Sequence, residues 1–558
     1  LGMNFGTDSE RKLERLSIIT ERFIHESQRT KKQELRDEIN LLKWELIELT
    51  LQEQKQVEKL NDIRRLRQKN SRPFFIWKLE FSDVFQQKGG FDVVIANPPY
   101  VGESKNKDIF RPIAKGNLKN FYLGKMDLFY FFFHLALDLG KEMASCAFIT
   151  TNYFLTASGA RKLREDLSQR STIRNLVNFN ELKIFESALG QHNVITIFDK
   201  GTSSNVPAQT SQTKRTGVAN DKILLDIVNQ VDKSTEYELI PQAELFDGNE
   251  KYIRLHGTSN KENPIEIILN KVQAQGEPLS KFFNINQGVV SGCDYVSGRN
   301  IQKLSAPNDV KKKDGIFVLD LKNLRDVKVI DSFNEDERKL LRPFFKNSEI
   351  GRYWRQKKPS KYFIYYQKEL DNKKYPNIYS HLEKYREILE ARLEAYNESY
   401  HWTALHRSRE ESIFTQTKIV VPYRCKVNIF SLSEEEWFCR SDCYVITPKS
   451  ESDELKYALA LLNSKLYFNW LYRRGKRKGE TLELFHQPLS EIPIKMALSD
   501  NRDLFISIVD EILTITLASD YDPQKTPVKQ KELEAKIDHM VFDLYGLSAE
   551  EREIVLNS

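Results

Sequence analysis

The chain has little cysteine. Its 558 residues include five, at positions 146, 293, 425, 439 and 443. A sparse, odd set argues against a disulfide framework and for the reducing cytoplasm. Cys425, Cys439 and Cys443 lie close together, but Trp437 to Tyr444 alternates like a strand, so no metal site is expected. Long apolar runs are also missing. The most apolar stretch, Leu128 to Leu139, is too short to span a bilayer and contains His134 and Asp138, so no membrane partner is expected. Glycine is scarce at the front: only Gly2, Gly6, Gly89 and Gly90 precede residue 91. That excludes from residues 1–90 a strand–glycine loop–helix unit of the kind that cradles a nucleotide-like cofactor. Charge of one sign is nearly balanced. A net +6 permits a polyanionic partner without establishing one.

What is present suffices for two or three domains, since 40% of residues are hydrophobic and 33 are Phe. Residues 11 to about 70 are highly charged and helical in pattern. Leu35, Ile39, Leu42, Leu46 and Leu49 form a heptad seam, which implies a helical hairpin or a coiled-coil arm with a solvated, charge-balanced outer face.

The centre of the sequence is Phe91 to Tyr100. The apolar run Phe91 to Ile95 follows a Gly-Gly turn and reads as a buried central strand of a parallel sheet. Pro98 and Pro99 cannot donate to a ladder, so the strand stops there. The result is a stiff loop at the carboxyl end of a strand, where open α/β sheets bind ligands. Its chemistry suits a planar amine. The Asn97 side-chain oxygen and the Pro98 carbonyl are two acceptors. Together they would draw a conjugated NH2 group towards tetrahedral geometry and free its lone pair. Tyr100 offers a ring for stacking. Neither a strong base nor a metal is needed. The plain alternative is a strand followed by a Pro-Pro turn that Asn97 caps.

Asn97-Pro98-Pro99-Tyr100 after an apolar strand resembles the catalytic motif of amino-group methyltransferases, chiefly the DNA adenine-N6 enzymes. By itself the tetrapeptide leaves open enzymes that act on a protein glutamine amide or on guanine in ribosomal RNA. Phe75 to Phe85 resembles the segment ahead of this motif in type IIG restriction–modification enzymes of prokaryotes, where a charged helical insertion often sits just upstream. The resemblance implies S-adenosylmethionine as cofactor, held by a glycine-rich loop and an acidic residue that both precede the motif. Residues 1–90 contain no such strand–glycine loop–helix unit, so the cofactor-binding residues are unknown. The chain therefore reads as the carboxyl-terminal part of a longer enzyme. The missing part is expected on a separate polypeptide, lost by truncation, or absent from the gene, and the chain alone is expected to be deficient in activity. The family segment matching Leu182 to Phe185 and Gln191 to Phe198 implies a second aromatic, Phe185, which with Tyr100 would sandwich a flipped adenine. Phe185 in the core is an equal alternative. His192 reads as a turn residue.

After the motif, a helix over Asp127 to Leu137, a strand at Ala147 to Asn152, a helix over Ala160 to Leu167, and strands at Ile173 to Phe179 and Asn193 to Phe198 supply the alternation of an α/β sheet. Residues 199–222 read as a linker or surface loop. Beyond about 250, strand-like runs, aromatics and basic residues interleave. Asn284 to Gly292, Leu340 to Ile350, Tyr375 to Ile378, Trp402 to Arg409, Lys418 to Pro422 and Leu461 to Lys465 resemble, in order and spacing, the TaqI-like specificity domain of adenine-N6 methyltransferases. Arg473, Arg474, Lys476, Arg477 and Lys478, with Gly475 between, form a flexible basic loop suited to DNA phosphates, a solvated charge run being the alternative. Such contacts position a protein without reading sequence. Amphipathic helices from Asp503 and Glu532, the second capped by Gly546, close the chain.

The expected fold is α/β. It comprises a helical arm or insertion (1–72), the carboxyl-terminal part of a Rossmann-like methyltransferase domain (73–250), a mixed α+β target-recognition domain (251–497) and a helical tail (498–558). The expected activity is site-specific DNA adenine-N6 methylation on double-stranded DNA. A non-catalytic DNA-binding fragment and a protein or RNA amino-group methyltransferase are the alternatives.

Overall fold

The heptad seam closes on the chain itself. Helices α1 (Thr7–His25), α2 (Arg29–Glu53) and α3 (Val57–Gln68) pack Leu13, Leu16 and Ile19 against Ile39, Leu42, Leu46 and Leu60. Lys12 pairs with Glu45 and Arg15 with Glu38 across the α1–α2 hairpin. The computed structural model describes residues 7–69, 71–185, 191–257, 264–302, 304, 309–367, 369–396, 401–449 and 453–557. It divides into two units, Leu1–Gly257 and Thr258–Ser558.

In the first unit, α4 (Ser82–Lys88) ends at Gly89, whose φ of 77° is the left-handed region that glycine adopts freely. At Gly90 a Cβ would lie 2.5 Å from the Leu139 carbonyl oxygen. The glycine pair thus turns the chain and lets β1 (Phe91–Ala96) lie close to the start of β2. The elements that build the rest of the sheet and its cover are α5 (Phe129–Leu139), β2 (Gly140–Thr151), α6 (Arg161–Arg170), β3 (Ser171–Asn178), β4 (Asn193–Lys200), β5 (Ala208–Thr213), α7 (Asp221–Val228) and β6 (Thr235–Ile240). The sheet order is β1-β2-β4-β3-β5-β6. The β1–β2 and β3–β5 pairs are parallel, and the others are antiparallel. One face buries Cys146, Phe148, Leu176 and Phe198 under Phe129, Phe133, Leu137, Leu163 and Leu167 of α5 and α6.

Two sequence expectations are corrected. The strand Phe91 to Ile95 is neither central nor buried. Among the described residues it is the sheet edge, and Val93 and Ile95 are 57% and 77% exposed. Its apolar run looked like a core strand because composition does not reveal which neighbours are present. Residues 199–222 are not simply a linker, because β5 lies inside the sheet between β3 and β6. Its polar run is compatible with a strand, and the buried Thr210 Oγ1 donates to the Leu255 carbonyl at 2.8 Å.

In the second unit, strands β7 (Phe283–Gln287), β8 (Val318–Asp320), β9 (Leu341–Phe345), β10 (Lys361–Ile364), β11 (Lys418–Pro422), β12 (Ser431–Ser433), β13 (Phe438–Cys439) and β14 (Cys443–Pro448) form two four-stranded sheets, β7-β14-β11-β12 and β8-β10-β9-β13. β11 divides two cores. Ile419 and Val421 face helices α8 (Pro264–Gln275), α9 (Asp453–Asn463), α10 (Lys465–Arg473), α11 (Ser499–Thr516) and α12 (Val528–Leu544). Val420 faces the other core, where Trp437 stacks on Phe345 with ring centroids 4.8 Å apart. Gly546, at φ 65°, ends α12 as its sequence suggested. Among the described residues no helix is long and apolar enough to cross a membrane.

Candidate active site at the carboxyl end of β1

The Pro-Pro pair ends β1 as expected. Pro98 is buried, Asn97 and Pro99 are exposed, and Tyr100 is half-buried. The Tyr100 hydroxyl lies 3.2 Å from Asn97 Oδ1 and 3.1 Å from the Ile149 carbonyl of β2, and it can donate to either. The Tyr100 ring meets Phe129 edge-on at 5.9 Å. Burial pushes the phenol pKa up, so the hydroxyl stays protonated and remains a donor.

The exit from the motif is clamped by Asp127. Its Oδ1 accepts from the Val101 amide at 3.0 Å and the Phe129 amide at 3.5 Å. The Leu128 amide donates back to the Val101 carbonyl at 3.0 Å. Burial raises the Asp127 pKa, and the backbone donors around it oppose that rise. The sequence placed Asp127 at the start of a helix and did not single it out. The available signal was an acidic residue just ahead of a long apolar helix, where side-chain capping is common.

A chain of amides continues the same rim of the sheet. Asn152 Nδ2 donates to Asn178 Oδ1 at 2.9 Å, and Asn178 Nδ2 donates to Asn180 Oδ1 at 2.8 Å. His192 Nδ1 donates to the Asn180 carbonyl at 2.7 Å, and the ring is buried there as a structural residue. These residues lie up to 40 positions apart in sequence, so only the sheet order unites them. Phe185 is half-buried just after the short strand Leu182–Lys183 and makes no ring contact with Tyr100.

The basic run of the second unit is not a free loop. Arg473 ends α10, and a Cβ on Gly475 would lie 2.4 Å from the Leu471 carbonyl oxygen. Next comes a hairpin of β15 (Arg477–Lys478) and β16 (Thr481–Glu483). Arg474 pairs with buried Glu266 of α8 at 3.0 Å, and Arg473 lies 3.9 Å from the same carboxylate. Lys476 sits 3.9 Å from Glu483 and 4.6 Å from the Phe485 ring centroid. The Arg477 guanidinium lies 3.9 Å from the Tyr472 ring centroid. The partner of the first two arginines comes from about 200 positions earlier, which the local sequence could not reveal.

Another basic group surrounds the end of β7. A Cβ on Gly288 would lie 2.2 Å from the Arg440 carbonyl oxygen, so only glycine lets the two backbones pass. Val290 and Arg407 exchange backbone bonds of 3.0 and 2.8 Å. Arg409 has a left-handed φ of 65°, a conformation unusual for arginine. Its Nη2 donates to Gln287 Oε1 at 3.1 Å, and Gln287 Nε2 donates to the Ser441 carbonyl at 2.9 Å. Burial and the neighbouring charge of Arg407 hold the Arg409 pKa down.

The described residues do not fit a complete S-adenosylmethionine site. They supply acceptors and a ring at the end of β1. Among them, however, no glycine-rich turn leads from a strand beside β1 into a helix, and β1 pairs with β2 alone. A cavity of about 960 Å³ is lined by Trp77, Phe121, Leu139, Arg170 and Lys200. It opens at the amino end of β2, away from Asn97.

Residues 9–185 match the Eco57I restriction-modification methylase family, and residues 342–494 match the TaqI-like C-terminal specificity domain. The type II methyltransferase M.HincII of Haemophilus influenzae is 24% identical over 433 residues, covering 73% of this chain and 74% of the relative. M.BstVI of Geobacillus stearothermophilus, also a type II methyltransferase, is 21% identical over 492 residues, covering 86% and 77%. Among solved structures, the type IIL restriction-modification enzyme MmeI in complex with DNA shares the fold, with a TM-score of 0.52 and 14% identity. The match covers 84% of this chain and spans 57% of the MmeI chain.

Proposed function

The chain belongs to the restriction–modification methylases, and on that footing we propose that it is the catalytic-motif and target-recognition portion of a type IIG DNA adenine-N6 methyltransferase. The observation that carries the reading is the pair of acceptors at the end of β1, with Tyr100 bonded to Asn97. When the hydroxyl donates to Asn97 Oδ1, the oxygen keeps a second lone pair for a substrate N–H.

The substrate is double-stranded DNA. The target adenine leaves the stack at a cost of a few kcal/mol, offset by contacts elsewhere. Asn97 Oδ1 and the Pro98 carbonyl accept from its amino group, and Pro99 stiffens the loop that holds both. Tyr100 stacks on the base, and Phe185 is the candidate for the second face. Asp127 is a positioning residue that acts through the Val101 amide. S-adenosylmethionine supplies the methyl group, and its glycine-rich cradle is not among the described residues. In the second unit, Arg407 and Arg409 are proposed to face DNA together with the 473–478 run, where Arg477 and Lys478 are the members on the hairpin.

The test is labelled-methyl transfer to genomic duplex DNA, with the chain supplied with a relative's cofactor-binding part, followed by digestion to nucleosides. N6-methyldeoxyadenosine is the expected product. Label on cytosine, or in RNA or protein in place of DNA, would overturn the reading. Asn97→Ala is expected to abolish transfer while leaving most DNA affinity intact, and retained turnover would remove Asn97 from the chemistry.

A further inference from the structure

The basic group at the end of β7 differs from its surroundings in how its charges are met. Arg342, Arg355 and Arg440 of the second unit each pair with a carboxylate, at Glu436, Glu435 and Asp294. Arg407 and Arg409 stand two positions apart and have no carboxylate partner among the described residues. Arg407 is exposed and Arg409 is half-buried. Two like charges held side by side without an anion favour an electron-rich ligand.

Arg409 is also fixed from both ends. Its backbone has a left-handed φ of 65°, and its carbonyl accepts from the Tyr365 hydroxyl at 2.9 Å. At the other end, Nη2 donates to Gln287 Oε1, and Gln287 is itself held by donating to the Ser441 carbonyl. Nε is buried and has no partner among the described residues, so the inner edge of the guanidinium is closed to a ligand. What remains is the outer edge, with one N–H on Nη2 and two on Nη1.

A phosphate contact needs no such bracing, because its task is to hold the protein in register and not to discriminate. A base edge carries donors and acceptors at fixed positions. In the major groove only guanine sets two acceptors, O6 and N7, side by side; adenine places an amino donor beside its N7. The outer edge of a guanidinium therefore matches guanine, and aiming it beforehand removes the cost of ordering it on binding. The surroundings fit a reader flanked by phosphate contacts. Gln287 is level with Tyr444 across β7 and β14. Tyr444 meets Tyr423 at 6.4 Å, Tyr423 meets Phe485 at 6.0 Å, and Lys476 lies over Phe485. This row of rings links the Arg409 group to the hairpin that carries Arg477 and Lys478.

We propose that Arg409 reads a guanine through its Nη1–Nη2 edge, that Gln287 is the positioning residue that aims it, and that Arg407 meets a neighbouring phosphate. The inference rests on the DNA-binding reading of the second unit and is independent of methyl transfer.

The test is selection of bound duplexes from a randomised library by the full chain, followed by titration of the selected duplex at several salt concentrations. The expected motif contains a required guanine. Replacing that guanine with 7-deazaguanine removes N7 and should weaken binding by the unmodified chain at least about fivefold. Arg409→Ala should reduce discrimination at that one position about tenfold or more, with the salt slope little changed. Arg409→Lys keeps the charge, loses the fork and should relax the same position; it decides the matter if Arg409→Ala fails to fold. Gln287→Leu should relax that position and no other, whereas a merely structural role would lower melting temperature and affinity for all sequences alike. Arg407→Ala should reduce the slope by about 1 and leave the motif intact.

A motif without a required guanine, or one that both Arg409 variants preserve, overturns the proposal. So does uniform weakening by Arg409→Ala with a slope reduced by about 1, which would make Arg409 a phosphate contact. A chain that binds no duplex removes the DNA-binding reading and the proposal together, whereas a motif indifferent to Arg409 removes the proposal alone.

Discussion

The Tyr100 hydroxyl lies within hydrogen-bonding distance of both Asn97 Oδ1 and the Ile149 carbonyl, at 3.2 and 3.1 Å. Its single O–H donates to one of them at a time, either to the proposed acceptor or to β2. The two contributions of Tyr100, hydroxyl and ring, are separable. Tyr100→Phe keeps the ring and is expected to lower methyl transfer by the value of one hydrogen bond, about fivefold to tenfold. Tyr100→Ala loses the stacking face too and should cost about a hundredfold or more. Steady-state transfer by the assembled enzyme measures both. Equal losses would show that the ring contributes nothing.

Asp127 gives a second prediction. Asp127→Ala strands the Val101 amide, and an unsatisfied buried donor costs about 1–3 kcal/mol. The melting temperature should fall and methyl transfer with it. Asp127→Asn retains an oxygen acceptor at the same place and should restore most of both. A positioning role predicts a lower kcat per active site in Asp127→Ala, with sites counted by single-turnover burst, and KM for DNA nearly unchanged, whereas simple unfolding would lower the number of active sites and leave the rate per site intact.

The sequence carried the motif, the helices and most strands, because these are local patterns: a heptad seam, an apolar run before Pro-Pro, a glycine cap at Gly546. It did not carry the edge position of β1. An apolar strand reads the same whether it has one neighbour or two, and only the exposure of Val93 and Ile95 distinguishes them. β5 was hidden for the opposite reason, since a polar strand can be interior when side chains such as Thr210 and Gln209 find hydrogen bonds. In the site, Asn97 and Tyr100 were visible as one tetrapeptide. Asp127 and the Asn152–Asn178–Asn180 chain were not, because the sheet brings together residues that are remote in sequence.

The same remoteness divides the basic run. Glu266 is almost fully buried, so Arg474→Ala leaves its carboxylate with a weakened partner set. That variant should lose stability, with little change in the salt dependence of DNA binding. Arg477→Ala and Lys478→Ala should each lower the slope of log K against log salt by about 1, alike on all sequences. Arg409→Ala, at the strained loop, is expected to weaken preferred sites more than random DNA. Filter binding at several salt concentrations distinguishes these patterns, and a slope change in Arg474→Ala would return that residue to the phosphate-contacting set.

His381 sets an acid limit on the second unit. The imidazole is buried, and its Nε2 donates to the Ile316 carbonyl at 2.9 Å. Burial drives its pKa down from 6.5 to about 4. Between those values the unfolded chain binds a proton that the folded chain refuses, so folding stability rises with pH across the window and is lost as pH falls from 6.5 towards 4. A shift of this size corresponds to about 3 kcal/mol over the full window. His381→Gln can keep a donor for Ile316 and does not titrate. Its melting temperature should therefore fall less steeply than that of the unmodified chain from pH 6.5 downwards, with the two profiles parallel above pH 7. Profiles that stay parallel throughout would mean that the ring reaches water in the folded state and takes up its proton there.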